Sequence, residues 1–359
     1  MTAGRGAGWA PGRAGAVTVA TVAILGAGAM GSALATPAAA AGNRVRLWGT
    51  WLDDDLLAEL RAGRPHPRTG VRIDPGVALH AAGQLAAALD GADLVAVAIS
   101  SDGVLEVVRR AAATLAPGTP LLLCTKGFGR RPGGAVELLP PLVADALGPL
   151  GAACPVVAVG GPCKANEVAA GRPTAAVFAG ADQAVVAGCA RALTTPAYRV
   201  ACSGDLAGVE AAAATKNVYA IAVGVCHGRT EAGGEPWHDL AAATFTQAVA
   251  EMRRLAVALG GREETALGLA GLGDLEVTSL SGRNRVFGAR VGRGEPSAGA
   301  LAAMAAAGQT VEGVPAARLA GELAARLGLD DLPLLEAVNR ILDGDPDPAA
   351  LLAGAVLPR

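Results

Sequence analysis

The feature that most constrains the fold is a glycine-rich turn that joins an apolar strand to a helix. The apolar segment at 17–25 runs directly into the sequence GAGAMG at 26–31, a G-x-G-x-x-G pattern. Glycines at this spacing permit a tight turn, a close approach of the backbone to a pyrophosphate, and close packing of helix on strand. The N-terminus of the next helix offers free N–H groups to a phosphate. The turn therefore predicts a dinucleotide site; a tight turn in a chain of 50 glycines is the alternative.

Short apolar runs alternate with helical patterns through the first 200 residues. Further strands are predicted at 44–48, 93–100, 120–125, 155–160 and 174–180. Strands that are apolar on both faces are typical of a parallel sheet covered by helices on both sides. After about residue 203 strand signals vanish, and helices are predicted at 205–226, 239–260, 262–270, 298–307, 312–327 and 333–342. We therefore expect an α/β domain followed by an all-α domain.

These patterns divide the 359 residues into three predicted parts. A disordered extension is expected at 1–17, a dinucleotide-binding domain at 18–203, and a helical substrate and catalytic domain at 204–359. The extension lacks the apolar centre of a signal peptide, and no run of about 18 uncharged apolar residues occurs in the chain. The prediction is a cytoplasmic protein without a membrane span.

Charge and cysteine spacing exclude several classes of function. A net charge of −2 argues against nucleic acid or an anionic membrane as the main partner. The six cysteines show no C-x-x-C spacing and none pairs with a histidine at metal-ligand spacing, so neither a metal site nor a disulfide framework is predicted. The histidines, at 66, 80, 227 and 238, are interpreted as ordinary residues.

Lys216 is the charged residue that least fits its surroundings. It lies next to Asn217 on a helix, at 206–226, that is apolar nearly all round and is therefore expected to be buried. A buried ammonium group has a lowered pKa and suits proton transfer. The alternative is a lysine at a helix edge whose side chain extends to water.

Another group of polar residues lies in the glycine-rich segment at 268–285. Its polar side chains include Asp274, Thr278, Arg283 and Asn284. An arginine and an asparagine beside Gly282 offer a planar fork and an amide to an anion, most naturally a phosphate. Glycines make such a backbone mobile, and an ordinary surface loop is the alternative.

Two predicted strands end in polar residues that could face a cofactor. Lys126 follows one strand at its carboxyl end, where ligands bind in open parallel sheets, although a lysine in a loop is often simply solvated. Thr50 ends the second strand, where NAD enzymes often carry an acidic residue. Thr50 could face the adenosine ribose of NAD or that of NADP, and Arg44 or Arg46 would favour the 2′-phosphate of NADP. The choice between the two cofactors therefore stays open.

Together these stretches resemble the NAD(P)-dependent sn-glycerol-3-phosphate dehydrogenases. In family order, over roughly residues 19–345, the matching stretches are VAILGAGAMGSALA, CTKGFG, GGPCKANEVAAGRPTA, GVEAAAATKNVYAIAVG, AEMRRLAVALG, GLAGLGDLEVTSLSGRNRVFG and TVEGVPAARLAGELAARLG. The resemblance implies a Rossmann-type N-terminal domain, an α-helical C-terminal domain and a homodimer. It also implies NAD or NADP as cofactor and interconversion of dihydroxyacetone phosphate and sn-glycerol 3-phosphate for glycerophospholipid synthesis.

The resemblance also implies roles for matching positions. Lys216 is implied to move the proton on the substrate C2 oxygen during hydride transfer to or from nicotinamide C4, with Lys126 and Asp274 as its catalytic neighbours. The implied substrate-binding residues are Lys126, Gly161, Cys163, Lys216, Asn217, Asp274, Thr278, Gly282, Arg283 and Asn284. The implied cofactor-binding residues are Gly26, Gly28, Ala29, Met30, Gly31, Thr50, Lys126, Ala165, Arg283, Val311 and Glu312.

The chain also departs from the family pattern. Cys163 replaces a serine or threonine that contacts substrate, the 229–250 segment is altered, and Thr50 replaces a basic residue that is often found there. The alternatives are therefore a reductase of another phosphorylated ketose or polyol, or of a 3-hydroxyacyl-type substrate, and a catalytically silent nucleotide-binding protein.

Overall fold

Strands are confined to the first part of the chain in the computed structural model, which describes residues 19–358. The strands are β1 Thr21–Leu25, β2 Arg44–Trp48, β3 Ala78–His80, β4 Leu94–Val97, β5 Leu121–Leu123, β6 Phe128–Arg130, β7 Val136–Leu138, β8 Val156–Gly160, β9 Thr174–Ala179 and β10 Tyr198–Ser203. The helices between them are α1 Ala29–Ala40, α2 Asp54–Arg61, α3 Leu85–Leu89, α4 Val104–Ala112, α5 Leu139–Ala146, α6 Ala165–Ala169 and α7 Gln183–Leu193. The extension predicted at 1–17 lies outside the described residues.

Eight strands form one sheet in the order β10-β9-β8-β5-β4-β1-β2-β3. Neighbouring strands are parallel except for β8 and β9, which are antiparallel. All residues of β1, β4 and β5 are buried, which is why they read as continuous apolar runs. The predicted α/β sheet is confirmed, with the reversed direction of β9 and β10 as a difference.

Four strands were not predicted from the sequence, namely β3, β6, β7 and β10. Three of them have only three residues, and β6 and β7 pair as a separate antiparallel ribbon. β10 lies at the edge of the large sheet, and only its first residue is buried. Edge strands and very short strands carry no continuous apolar run, so this pattern cannot reveal them.

The second part of the chain is helical and surrounds one long helix. Its helices are α8 Leu206–Gly233, α9 His238–Ala258, α10 Glu263–Leu267, α11 Asp274–Leu280, α12 Arg283–Gly292, α13 Ser297–Ala306, α14 Gly313–Leu327, α15 Pro333–Leu342 and α16 Pro348–Val356. Every residue of α8 from Gly208 to Cys226 is buried. The predicted all-α domain and its buried helix are therefore confirmed.

The glycine-rich segment at 268–285 is helical, so the expectation of a mobile loop is wrong. A π-helical turn at Leu269–Gly273 leads into α11, and two residues separate the end of α11 from the start of α12. A Cβ atom on Gly271 would lie 1.9 Å from the carbonyl oxygen of Ala266. Glycine is needed there because the backbone is closely packed.

The start of α8 connects the sheet to the helices. Asp205 precedes α8 and accepts hydrogen bonds from the backbone N–H of Gly208 at 2.9 Å and of Arg262 at 2.8 Å. Val209 of α8 packs with Ala158 of β8 and with Ala270 of the π-helical turn. These contacts hold β8 beside α8 and beside the π-helical turn that precedes α11.

Candidate active site

The glycine-rich turn after β1 has the geometry that a dinucleotide requires. Gly26 has φ +107°, and a Cβ atom there would lie 2.6 Å from the carbonyl oxygen of Ala98. A Cβ atom on Gly31 would lie 1.9 Å from the carbonyl oxygen of Gly26. A Cβ atom on Gly28 would meet nothing within 4 Å, so the backbone faces open space where α1 begins. These positions fit a nicotinamide dinucleotide with its pyrophosphate at the start of α1.

Beyond the turn lies a buried cluster of one carboxylate and two lysines. Asp274, the first residue of α11, is 1% exposed. Lys126 Nζ, in the loop after β5, donates a hydrogen bond to Asp274 Oδ2 at 2.6 Å. Lys216 Nζ, from the middle of α8, donates to Asp274 Oδ1. Lys216 is 8% exposed, so the alternative of a side chain that extends to water is wrong.

The two lysines differ in their affinity for a proton. Burial lowers the pKa of Lys216, the charge of Asp274 opposes this and the charge of Lys126 adds to it, and the result is a pKa of about 8. Burial also lowers the pKa of Lys126, but Asp274, together with Cys163 and Lys216, outweighs burial and holds that pKa above its ordinary value. Lys126 therefore stays charged at neutral pH, whereas Lys216 can exchange a proton near neutral pH.

The start of α12 presents Arg283 and Asn284 side by side. Arg283 Nη2 lies 3.2 Å from Glu312 Oε1, and its side chain is 41% exposed. Asn284 is buried; its Nδ2 donates to Asn217 Oδ1 at 2.9 Å and its Oδ1 accepts from the Gly313 N–H at 2.8 Å. Arg283 is thus accessible to an anion, whereas Asn284 holds α8, α12 and the start of α14 together.

Two adjoining cavities, of about 550 Å³ and about 340 Å³, extend from the glycine-rich turn to α12. The predicted residues that line both are Ala29, Cys163, Ala165, Lys216 and Arg283. The larger cavity also includes Asp274, Thr278 and Gly282. The smaller cavity also includes Gly28, Met30, Lys126, Asn217 and Glu312. The predicted residues that line neither are Gly26, Gly31, Thr50, Gly161, Asn284 and Val311.

The end of β2 does not decide between the two cofactors. The Thr50 N–H and Oγ1 both donate to Asp53 Oδ2, at 2.8 and 2.9 Å. Arg46 Nη1 donates to the carbonyl oxygen of Asp90 at 2.5 Å, at the end of α3. Arg44 is the first residue of β2 and so lies at the other end of the strand from Thr50. Neither arginine is at the strand end where a 2′-phosphate would bind.

His66 supports the glycine-rich turn, a role that the sequence analysis missed. Its ring is buried, and Nε2 lies 3.2 Å from the carbonyl oxygen of Ala27. Nδ1 accepts the backbone N–H of Arg68 at 3.1 Å and of Thr69 at 3.3 Å, which assigns the ring proton to Nε2. Burial lowers the pKa of His66, so the ring stays neutral. No spacing in the sequence signals this contact.

Several polar residues of the larger cavity were also missed, among them Arg68, Lys164 and Ser281. Arg68 Nη2 donates to the carbonyl oxygen of Gly308 at 3.4 Å, and Lys164 Nζ donates to Ser281 Oγ at 2.6 Å. Arg68 lies in a loop without any distinguishing pattern. Lys164 could have been identified, because lysine is rare in this chain.

Comparison with known proteins identifies the family to which these two parts belong. The family model described as NAD-dependent glycerol-3-phosphate dehydrogenase N-terminus matches residues 21–186, and the model for the C-terminus of the same enzymes matches residues 205–353. The chain belongs to the NAD-dependent glycerol-3-phosphate dehydrogenase family.

Members of this family are similar over nearly the whole chain. A glycerol-3-phosphate dehydrogenase [NAD(P)+] of Chelativorans sp. (strain BNC1) is 39% identical over 90% of this chain and 93% of its own length. An NADP(+)-dependent glycerol-3-phosphate dehydrogenase of Archaeoglobus fulgidus is 35% identical over 89% and 94%. The crystal structure of glycerol-3-phosphate dehydrogenase from Coxiella burnetii has a TM-score of 0.82, with 32% identity over 95% of this chain and 99% of that one.

Two further observations concern the part of the chain that the structure describes. None of its His, Cys, Asp and Glu side chains form a group of three or more that could hold a metal ion. None of its helices is both long enough and apolar enough to cross a membrane.

Proposed function

We propose that the protein is an NAD(P)-dependent glycerol-3-phosphate dehydrogenase, which interconverts dihydroxyacetone phosphate and sn-glycerol 3-phosphate. The observation that carries the proposal is the Asp274 carboxylate held between Lys126 and Lys216, in a cleft that reaches from a dinucleotide-type turn to Arg283. The site joins a proton-exchanging group, a fixed positive charge and an anion-binding group. A ketone that carries a phosphate needs all three.

The cofactor would lie along the glycine-rich turn, with Gly28 and the start of α1 next to its pyrophosphate. When bound, the nicotinamide supplies or accepts the hydride. The chain's own residues orient the substrate, exclude water and handle the proton on the C2 oxygen.

Proton transfer is assigned to Lys216. During reduction its ammonium group donates a proton to the C2 oxygen, and during oxidation its neutral amine accepts that proton. Lys126 remains charged and stabilises the negative charge that develops on the oxygen. Asp274 balances part of this positive charge and holds both lysines at the cleft.

Arg283 is assigned to binding of the substrate phosphate, and the proposed function can be tested through this residue. With NADH or NADPH, the protein should reduce dihydroxyacetone phosphate far better than dihydroxyacetone, which has no phosphate. Arg283→Ala should lower kcat/KM for the phosphorylated ketone by about 10- to 100-fold, because it removes a charged hydrogen bond, and should lower kcat/KM for dihydroxyacetone much less.

Arg293→Ala is the matched control, since this arginine ends the same helix and forms an exposed ion pair with Glu231. It should leave both rates unchanged. Absence of turnover with either cofactor contradicts the proposal and favours a silent nucleotide-binding protein. Turnover of another phosphorylated ketone but not of dihydroxyacetone phosphate favours the alternative substrate class that Cys163 and the altered 229–250 segment leave open.

The remaining expectations stay predictions and have simple tests. A division into domains at 203/204 is supported by the end of the sheet at Ser203 and the start of α8 at Leu206, and limited proteolysis checks it. The homodimer is inferred from family resemblance, and the cytoplasmic location stays the prediction made from the sequence pattern. Light scattering of the purified protein and cell fractionation check them.

A further inference from the structure

Lysine is used in this chain at only three positions, 126, 164 and 216, whereas 27 basic positions are arginine. All three lysines line the two cavities of the cleft. Arginine therefore serves wherever a basic residue only has to be solvated or to pair at the surface. A lysine ammonium is a compact charge with three rotatable donors, which a planar guanidinium cannot replace where space is small. Two of these lysines already have a proposed role, and Lys164 has none.

Lys164 is part of the segment that follows β8, and its side chain extends to the turn between α11 and α12. It immediately precedes α6, and its Nζ reaches across to Ser281 Oγ at 2.6 Å. Ser281 is two residues before Arg283, at the start of α12. The hydroxyl uses one of the three ammonium protons and leaves the other two available to a ligand.

Within the described part of the chain, the charge of Lys164 has no carboxylate partner. Asp274 pairs with Lys126 and Lys216, and Glu312 pairs with Arg283. Among the ion pairs of residues 19–358 none includes Lys164. A cation that lines a cleft without a fixed counterion raises the local concentration of anionic ligands.

The position of Lys164 indicates whether the anion belongs to the substrate or to the cofactor. It lines the larger cavity together with Thr278, Ser281, Gly282 and Arg283. It does not line the smaller cavity, which contains Gly28 and Met30 of the turn where the cofactor pyrophosphate would bind, whereas the larger cavity includes only Ala29 of that turn. The anion is therefore on the substrate side of the cleft.

We propose that Lys164 is a further substrate-binding residue, whose ammonium group, held by Ser281 beside the start of α12, binds the substrate phosphate together with Arg283 of α12. This inference rests on the proposed function, because it assumes a phosphorylated substrate. It assigns the phosphate to two cations on different segments. Such an arrangement favours a phosphate dianion over a carboxylate or a neutral hydroxyl.

Lys164→Met tests the assignment, since it keeps the length of the side chain and removes the charge. The KM for dihydroxyacetone phosphate should rise about tenfold, as expected for one lost charged hydrogen bond. Both kcat and the KM for NADH should change less than twofold. Arg172→Met is the matched control: it removes one exposed charge from the segment after α6, outside both cavities, and should leave all three constants unchanged.

A double variant tests the part played by Ser281. Ser281→Ala should raise the KM for dihydroxyacetone phosphate by about two- to threefold in the native chain and add nothing in Lys164→Met, if the hydroxyl acts through the ammonium group. An unchanged KM in Lys164→Met, or a loss that appears in kcat alone, overturns the inference. Equal changes of KM in the Lys164 and Arg172 variants also overturn the inference, since they indicate a long-range electrostatic effect of the lost charge and not a direct contact with the phosphate.

Inorganic phosphate separates a failure of this inference from a failure of the proposed function. Phosphate should raise the melting temperature of the native protein by binding to the folded state, and this shift should be smaller in Lys164→Met. This measurement of the melting temperature does not require the protein to turn over a substrate. If the enzyme turns over the substrate and Lys164→Met has the native KM, only the role of Lys164 is refuted. If the protein shows no turnover, the proposed function is refuted, and the phosphate-induced shift in melting temperature then decides whether Lys164 binds phosphate.

Discussion

At the scale of single residues, the unequal environment of two lysines around one carboxylate determines the chemistry of the site. Asp274 contacts both ammonium groups, yet burial and the charge of Lys126 hold the pKa of Lys216 below its ordinary value, whereas the pKa of Lys126 lies above its ordinary value despite burial. A single carboxylate can balance one lysine fully but not two. The second lysine is therefore able to release its proton at a pH near neutral, as a general acid or base must.

The first prediction concerns the pH dependence of the two reaction directions. During reduction, protonated Lys216 is the donor, so kcat/KM should fall as the pH rises through about 8. During oxidation, the neutral amine is the acceptor, so kcat/KM should rise over the same range. Steady-state assays from pH 6 to pH 10 check both limbs. Limbs of the same sign in the two directions would exclude Lys216 as the proton carrier.

The second prediction concerns Asp274→Asn. The carboxylate raises the pKa of Lys216, so its removal should shift the alkaline limb of the reduction to lower pH and lower kcat about 100-fold or more. Glu276→Gln is the control, because Glu276 is exposed on the same helix. The same pH profiles measure the shift, and an unmoved limb in Asp274→Asn would show that the carboxylate does not act on Lys216.

At the scale of secondary-structure elements, glycines set the distance between α8 and α12. A Cβ atom on Gly224 would lie 2.4 Å from the carbonyl oxygen of Arg285, and one on Gly288 would lie 2.1 Å from that of Ile221. The two helix backbones are therefore in direct contact. α8 carries Lys216 and α12 begins at Arg283, so this contact also sets the distance between the proton carrier and the anion-binding group.

The third prediction is that Gly288→Ala forces the two helices apart. It should lower the free energy of unfolding by about 1–3 kcal/mol and raise the KM for dihydroxyacetone phosphate, because Arg283 moves away from Lys216. Gly299→Ala in α13 is the control: its Cβ atom would have no atom closer than 4.0 Å, so stability should be unchanged or slightly higher. Thermal unfolding and steady-state kinetics measure both effects, and equal stability of the two variants contradicts the packing argument.

At the scale of the whole molecule, a buried acid makes stability depend on pH. Glu210 of α8 is fully buried, and neither of its carboxylate oxygens has a hydrogen-bond partner within the described chain. Burial raises the pKa of Glu210 to about 8, although the nearby charge of Lys126 opposes this. At neutral pH the folded protein therefore holds a proton on Glu210 that the unfolded chain releases.

The fourth prediction follows from this proton. A raised folded-state pKa contributes stability that is complete below the unfolded pKa, near 4.5, and is lost as the pH rises through about 8. Each pH unit within this window should remove up to about 1.4 kcal/mol. Glu210→Gln, which resembles the neutral acid, should abolish this dependence, whereas Glu336→Gln on the exposed face of α15 should preserve it. Thermal unfolding from pH 5 to pH 9 checks this, and identical slopes for the two variants would contradict it.

Local patterns determined much of this molecule. A strand that is buried on both faces is a continuous apolar run, and a helix buried all round is apolar on nearly every face, so β1, β4, β5 and α8 can be predicted from their sequences. For the same reason the isolated charge of Lys216 could be interpreted as functional. The glycine-rich turn was predictable because its three glycines serve short-range backbone geometry.

Other features depend on segments that are far apart in sequence, and only the tertiary structure decided them. Asp274 lies 148 residues from Lys126 and 58 from Lys216, and nothing within α11 indicates that its carboxylate contacts both. The contact of His66 with Ala27, the buried position of Glu210 and the reach of Lys164 to Ser281 are of the same kind. The sequence by itself determined the elements and the candidate residues; their charge and partners were decided by packing, because burial and pairing are set by the groups that the fold brings near.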